Sequence, residues 1–318
     1  MAETLAHTNT FHRLIQGDAR TMPFIPDSSV HLVVTSPPYW TLKRYNDGDG
    51  QLGHVKDYEI FLGELARVWR EAYRVLVPGG RMVCVVGDVC LSRREHGRHV
   101  VVPLHADIAV ICRKIGFDNL NPIIWHKIAN ANYEVNNGSR FLGKPYEPNA
   151  IIKNDIEFLL MQRKPGGYRQ PTEEQRRLSR IKKEEYGKWF QQFWNLSGAS
   201  TKEHPAPFPF ELAHRLVRMF SFWGDTVLDP FSGTGTTMAA AMRCDRNSIG
   251  IEIDGGYCRM AMSRLKAEAH GQFSNAQLVF EKVEAIAGTA AILRETAGQY
   301  AHSKPKKSPR TPRGKRPA

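Results

Sequence analysis

Four consecutive residues near the start of the chain, Ser36-Pro37-Pro38-Tyr39, could hold and activate an amine. The prolines make the backbone rigid, so the Ser36 hydroxyl and the Pro37 carbonyl become two fixed hydrogen-bond acceptors, while Tyr39 presents a ring face. An exocyclic amine on an aromatic ring is a poor nucleophile because its lone pair is delocalised. Acceptors that hold both of its N–H groups favour the pyramidal form that attacks a methyl group. Taken alone, the same four residues could simply terminate a strand.

A second stretch, Asp229-Pro230-Phe231-Ser232-Gly233-Thr234-Gly235-Thr236-Thr237, places glycines between a predicted strand and a predicted helix. Backbone in such a turn can approach a ligand that lies over the carboxyl edge of a sheet. The stretch lacks the Gly-Lys-Ser/Thr of a phosphate-binding loop and the third glycine of a dinucleotide site. Glu252 ends the next predicted strand, where its carboxylate can accept both hydroxyls of a ribose. These features indicate a nucleoside cofactor, with a purely structural turn as the alternative.

The elements that must position these two stretches alternate between strands and helices. Strands are predicted where residues are β-branched or continuously apolar, at 31–35, 81–87, 120–125, 226–229 and 248–252. Helices are predicted where apolar residues recur at intervals of three or four, at 58–76, 102–115, 209–222 and 236–243. The alternation predicts an α/β sheet whose strand ends carry both stretches.

The composition excludes several classes of protein. No apolar run in the 318 residues approaches the roughly 18 needed to span a membrane. The first residues have neither the basic start nor the apolar stretch of a secretory signal. The five cysteines are widely spaced and include no Cys-x-x-Cys pair, so no metal site is expected. We therefore predict a cytoplasmic protein with no membrane partner and no metal.

The net charge of +12 is that of a protein that contacts phosphates or another anionic surface. Part of that charge lies in a Pro-rich C-terminal tail that we predict to be disordered. A second basic segment, between about Lys127 and Leu196, also contains aromatic residues. Basic groups can hold phosphates while aromatic and amide groups reach bases. This segment is predicted to contact nucleic acid, although a surface helix with a small satellite core would have a similar sequence.

The two stretches together resemble the motifs of the DNA amino-methyltransferases in which the catalytic motif precedes the cofactor motif. Ser36 precedes Asp229 by 193 residues, whereas relatives that act on RNA or on protein glutamine have the glycine loop first. The resemblance implies an α/β, Rossmann-like, S-adenosylmethionine-dependent methyltransferase fold with a circularly permuted motif order and an inserted target-recognition region. It implies S-adenosyl-L-methionine as the cofactor and double-stranded DNA as the partner. A cognate restriction endonuclease that acts on the same site is a further possible partner.

The resemblance also assigns roles to individual residues. The catalytic residues it implies are Ser36, Pro37, Pro38 and Tyr39. The cofactor-binding residues it implies are Asp18, Phe208, Asp229, Phe231, Ser232, Gly233, Gly235, Thr236 and Glu252. Among these, Gly17-Asp18 corresponds to a pair that contacts the adenine, and Phe208 lies in the stretch that leads into a helix packed on the cofactor.

Four regions follow from this comparison of motifs. Residues 1–126 would be the catalytic half of the methyltransferase domain and 201–285 the cofactor-binding half. Between them, 127–200 would be a target-recognition insertion, and 286–318 a C-terminal extension with a disordered basic tail.

The catalytic motif favours one target base and leaves a second as an alternative. Serine in the first position of the motif resembles the subgroup that methylates cytosine at N4 in duplex DNA, after the base has been flipped out. Methylation of adenine at N6 remains the alternative, because a hydroxyl and a carboxylate both accept from an amine. Methylation at cytosine C5 needs a cysteine nucleophile, and no Pro-Cys pair is present. More remote alternatives are an enzyme acting on RNA or a small molecule, and a non-catalytic DNA-binding or regulatory protein with this fold.

Overall fold

The structure is a computed structural model that describes residues 9–40, 50–127, 141–142, 147–199, 208–270, 275–286 and 289–297. The strands in these ranges are β1 (Thr10–Gln16), β2 (Val30–Thr35), β3 (Leu76–Val86), β4 (Val89–Leu91), β5 (Val100–Val102), β6 (Asp118–His126), β7 (Phe141–Leu142), β8 (Ile151–Ile152), β9 (Ile156–Arg163), β10 (Phe193–Asn195), β11 (Thr226–Asp229), β12 (Asn247–Glu252), β13 (Ala276–Ile286) and β14 (Thr289–Ala297). The helices are α1 (Tyr58–Val75), α2 (Arg93–His96), α3 (Leu104–Ile115), α4 (Glu173–Leu178), α5 (Lys183–Trp189), α6 (Phe210–Phe220), α7 (Thr236–Arg243) and α8 (Gly255–His270), with a 3₁₀ turn at Leu52–His54.

One large sheet organises the described chain, with the strand order β10-β6-β9-β3-β2-β11-β12-β1-β13-β14. The strands from β3 to β13 in this order are parallel, whereas β9 and β14 run antiparallel to their neighbours. Buried side chains form one cluster from β2, β3, α1 and α3 and others that include α6, α7 and α8. Helices therefore cover both faces of the parallel strands, as an α/β fold requires.

The strand order creates a crevice between β2 and β11. From β2 the chain passes through α1 to β3, which lies on one side, and from β11 it passes through α7 to β12, which lies on the other. The carboxyl ends of β2 and β11 thus meet where the direction of winding reverses, which is where ligands bind in open α/β sheets. The two candidate stretches directly follow these two strands.

The predicted elements are present, with shifts at their ends. Helix α1 begins at Tyr58 because the Asp57 carboxylate accepts from the Ile60 N–H at 2.9 Å. Strand β3 begins at Leu76, five residues before the predicted start at Arg81. The segment Pro78-Gly79-Gly80 extends the strand because the Gly79 N–H donates to the Lys164 carbonyl at 2.9 Å and the Gly80 carbonyl accepts from the Lys164 N–H.

Residues 127–200, predicted to be an insertion, do not form a unit separate from the main sheet. Strand β9 comes from this segment, yet it lies within the main sheet between β3 and β6, and β10 adds an edge strand beside β6. Strand β9 alternates little and is largely buried, as a strand covered on both faces must be. The segment therefore contributes to the core as well as to the surface.

The predicted boundary at residue 286, between the cofactor-binding half and the C-terminal extension, is not a boundary of the sheet. Strand β14 pairs antiparallel with β13 and so continues the sheet beyond this position. The residues after Ala297, whose tail the sequence predicts to be disordered, lie outside the described ranges. No helix in the described part of the chain is long and apolar enough to cross a membrane.

Candidate active site

The ends of four neighbouring parallel strands bring the two stretches together. Gly17-Asp18 follows β1, Ser36 follows β2, Asp229 ends β11 and Glu252 ends β12. A cavity of about 670 Å³ opens at this edge of the sheet. The predicted site residues that line it are Asp18, Ser36, Pro37, Pro38, Phe231, Gly233 and Glu252. Residues from both halves of the chain therefore share one cavity.

Glu252 is held rigidly at the floor of this cavity. Its carboxylate accepts from the Gly233 N–H at 2.8 Å through one oxygen and from the Asp254 N–H at 2.9 Å through the other. Burial raises the pKa of Glu252 to about 7, against the opposing effect of these two backbone donors. A carboxylate has about four acceptor positions, so it can take further hydrogen bonds from hydroxyl groups of a ligand.

Asp229 joins the two stretches beneath the cavity. Its buried carboxylate accepts from the Thr35 hydroxyl at 2.7 Å and from the Phe231 N–H at 3.1 Å. Thr35 directly precedes Ser36, so this hydrogen bond fixes the catalytic stretch relative to the glycine-rich one. Burial raises the pKa of Asp229 to about 6. Asp229 itself is not among the residues that line the cavity, and its contacts are those of a linking residue.

The raised pKa of Glu252 predicts a pH-dependent contribution to stability. Because the folded pKa lies above the ordinary value of 4.5, this group favours the folded state below about pH 4.5, and the contribution is lost as the pH rises through about 7. The loss is on the order of 3 kcal/mol for a shift of this size.

The measurement is the free energy of urea unfolding of the wild type and of Glu252→Gln at pH 5 and pH 8. Burial lowers the pKa of His12 to about 3. Its contribution to the folding stability therefore changes with pH in the opposite sense, because it is lost as the pH falls below about 6.5. The difference between the two proteins isolates Glu252, and we expect it to change in favour of the variant at pH 8. A difference that does not vary with pH would contradict the assignment.

The glycine-rich turn has the backbone that its sequence requires. Gly233 and Gly235 have φ angles of 49° and 77°, a region that side chains disfavour. Gly235 caps α7, which begins at Thr236. Ser232 is buried against Gly250, where an added Cβ would lie 2.6 Å from the Ser232 hydroxyl oxygen. Ser232, Gly235 and Thr236 do not line the cavity, so in this structure they shape the turn.

The catalytic stretch presents its first three residues to the cavity. Ser36, Pro37 and Pro38 line it, whereas Tyr39 is buried in the adjoining cluster of apolar side chains. The next residue, Trp40, has a φ of 45° and packs edge-on against Tyr58 with ring centroids 5.0 Å apart.

The two predicted phenylalanines lie in different surroundings. Phe231 lines the cavity and meets the edge of Trp69 with ring centroids 6.1 Å apart. Phe208 packs on the cluster formed by β2, α6 and their neighbours and is not among the lining residues. The structure thus brings Phe231, but not Phe208, to the cavity.

Sequence reasoning missed a charged network at the rim. The Arg20 guanidinium donates from Nε to the Asp18 carboxylate at 2.8 Å and from Nη1 to Glu64 on α1. Both partners raise the pKa of Arg20. Arg20 also lines the cavity, with Gln51, Leu52, Val68 and Tyr257 among the other residues that were not predicted. The spacing of Asp18 and Arg20 is visible in the sequence, but the second partner of Arg20, Glu64 on α1, is not.

The fold, the crevice and the order of the two stretches define a Rossmann-like α/β methyltransferase with permuted motifs. In the described part of the chain, no group of three or more His, Cys, Asp or Glu side chains could hold a metal ion.

Comparison with known proteins identifies the family. Residues 30–263 match the family model for N6/N4 DNA methylases. Type II methyltransferase M.MjaI of Methanocaldococcus jannaschii is 40% identical over 276 residues, which cover 77% of this chain and 88% of that protein. M.MthZI of Methanothermobacter thermautotrophicus is 34% identical over 315 residues, covering 92% and 85%. The crystal structure of TTHA0409 from Thermus thermophilus, complexed with S-adenosyl-L-methionine, aligns with a TM-score of 0.70 and 53% identity, covering 87% and 99%. The chain belongs to the N6/N4 DNA methylases.

The cofactor of this enzyme is therefore S-adenosyl-L-methionine, and its substrate is DNA. The cavity fits this cofactor chemically. Glu252 retains acceptor positions for hydroxyl groups, and the Phe231 ring can lie against a positive centre.

Proposed function

We propose that this protein is a site-specific DNA methyltransferase that transfers a methyl group to the exocyclic N4 of cytosine in duplex DNA. One observation carries the proposal: Ser36 and Pro37, which supply two acceptors for an amine, line the same cavity as Phe231, Gly233 and Glu252. The amine and the methyl donor would then meet in one cavity, which direct transfer without a covalent intermediate requires.

The bound cofactor supplies an electrophilic methyl group on a sulfonium, and the protein positions the two reactants. Glu252 would accept from the ribose hydroxyls, and Asp18, which Arg20 anchors, would accept from the adenine amine. Phe231 would present its ring to the positive centre. On the substrate side, the Ser36 hydroxyl and the Pro37 carbonyl would accept from the two amine N–H groups. As the nitrogen takes the methyl group it becomes positively charged, and the proton that it then loses would pass to water.

The target base must leave the duplex to reach this cavity. A flipped base is commonly held by stacking on aromatic side chains, and Tyr39 adjoins the two acceptors in the sequence. Serine at position 36 favours cytosine N4. Adenine N6 is the second candidate, because the same acceptors fit its amine equally well.

Recognition of the DNA sequence is assigned to residues 127–200, as the resemblance implies. The described basic residues with exposed side chains in this segment include Arg176, Arg177, Arg180, Lys182, Lys183 and Lys188. Tyr168, Tyr186, Phe190 and Phe193 are exposed, whereas Trp189 and Trp194 are buried in the core. Tyr133 and Tyr146 lie outside the described residues. The exposed set has the charges and rings that contacts with phosphates and bases need. A restriction endonuclease with the same target would be the enzyme's functional partner.

The decisive experiment is sequencing of modified bases in DNA from cells that express the chain. We expect N4-methylcytosine at one short sequence motif and no modification with the empty vector. N6-methyladenine at a single motif would replace the cytosine proposal by its alternative. The absence of any methylated base, together with intact binding of the cofactor, would favour the non-catalytic alternative.

A further inference from the structure

A charged pair lies at the same edge of the sheet as the catalytic stretch, on the side away from the cofactor cavity. Lys127 directly follows β6, and Glu157 lies near the start of β9. Strand β9 runs antiparallel to both β6 and β3, so the start of β9 and the ends of β3 and β6 lie together. The Lys127 ammonium donates to the Glu157 carboxylate, and we call these two side chains the polar wall.

Gly87, directly after β3, relates the polar wall to Tyr39. A Cβ added at Gly87 would lie 3.2 Å from Glu157 Cγ and 3.3 Å from Tyr39 Cε1. Both side chains therefore lie close to one point, and Glu157 Cγ and Tyr39 Cε1 lie within about 7 Å of each other. A side chain at this position would crowd both neighbours, so glycine allows the ring and the carboxylate to lie this close to the backbone.

The free energy that is needed to bury the two charges of the polar wall suggests that they serve a ligand. The side chains of Glu157 and Lys127 are 10% and 21% exposed, and burial of a charged pair costs free energy that its attraction often fails to recover. The ammonium also lies 4.9 Å from the centroid of the Trp125 ring, which holds it in place. Lysine has three donors, more than one carboxylate oxygen requires, so the ammonium beside Glu157 can also donate to a ligand.

We propose that the polar wall and Gly87 form part of the pocket for the flipped target base, and that Lys127 donates to the acceptor atoms of a pyrimidine. This inference rests on the proposed transfer to cytosine N4. When the cytosine amine is held by Ser36 and Pro37, the rest of its Watson–Crick edge consists of acceptors, N3 and O2. At the corresponding positions adenine has one acceptor, the ring nitrogen N1, and then a C–H group that accepts no hydrogen bond. A lysine at this position therefore selects cytosine over adenine, and Glu157 positions it.

The test measures binding to duplexes that carry cytosine, adenine or an abasic site at the target position of the motif that sequencing identifies. We expect Lys127→Met to weaken binding of the cytosine duplex by about 10- to 100-fold and to change binding of the abasic duplex by less than about threefold. Glu157→Gln should act in the same direction, and the effects of the two substitutions should not add. Lys266→Met, which removes the same charge from an exposed position on α8, is the matched control.

The other outcomes distinguish a failure of this inference from a failure of the proposed function. Equal weakening of the cytosine and abasic duplexes would assign Lys127 to the DNA backbone and overturn the inference, as would unchanged binding of every duplex. The affinity of each variant for S-adenosyl-L-methionine alone reports folding and should equal that of the wild type. Methylation of adenine by the wild-type protein would instead overturn the proposed function itself. Methylation of cytosine N4 by a Lys127→Met variant with wild-type binding would leave that function standing and remove only the inference.

Discussion

Replacing Ser36 with alanine is expected to lower the rate of methyl transfer by about 10²- to 10³-fold, the size of effect seen when one fixed hydrogen-bonding group is removed from an active site. The variant loses one of two acceptors for the amine, so the attacking pyramidal form is less favoured. The affinity for the cofactor should change little, because the groups that can hold it lie on other strands: Glu252 after β12 and Asp18 after β1. The measurement is the single-turnover rate with labelled S-adenosyl-L-methionine and excess DNA.

Three further substitutions serve as controls and comparisons for Ser36→Ala. Ser263→Ala removes a hydroxyl from an exposed position on α8 and should leave the rate unchanged. Tyr39→Ala should also abolish most methylation, because base stacking on an aromatic ring contributes about 1–3 kcal/mol, whereas Tyr39→Phe should keep much of the rate. Normal activity in both Ser36→Ala and Tyr39→Ala would overturn the catalytic assignment.

The parts of the fold that depend on local sequence could be predicted. Strand β11 has the predicted bounds, because Val227 and Leu228 are apolar and the next residues, Asp229-Pro230, end the pairing. Helix α7 likewise begins at Thr236 as predicted. The grouping of Ser36 with Glu252 also followed from sequence, since the carboxyl ends of parallel strands share one edge of a sheet.

Contacts between distant segments could not be predicted in this way. The place of β9 inside the sheet depends on pairing with β3 and β6, and a short apolar run does not specify its partners. The Thr35–Asp229 hydrogen bond joins residues 194 positions apart. The same limit applies to the polar wall, because Glu157 and Tyr39 are brought near each other by the packing around Gly87. Motifs locate chemistry along the chain, whereas the groups that position it come from pairing across the sheet.

Replacing Glu252 with alanine is expected to have the largest effect on the cofactor. Hydrogen bonds to a charged group contribute about 1.5–3 kcal/mol each, so the loss of two from ribose hydroxyls should weaken the binding of S-adenosyl-L-methionine by about 10²-fold or more. The substitution also removes the acceptor of the Gly233 N–H and of the Asp254 N–H. Isothermal titration of the free protein with the cofactor measures the change, and the unfolding midpoint of each variant shows whether the turn is retained.

A pH series distinguishes a direct role of Glu252 from a structural one. The pKa of Glu252 is about 7 in the free protein because the carboxyl group is buried, and hydroxyl donors favour the charged form. Binding should therefore lower this pKa, so the affinity should fall as the pH drops below about 7, by up to tenfold per unit. Glu252→Gln, which keeps the size of the side chain but does not titrate, should bind weakly with no such dependence. If the wild-type affinity were independent of pH between 5.5 and 8, the carboxylate would not be accepting from the cofactor, and the role of Glu252 would be limited to bracing the glycine-rich turn.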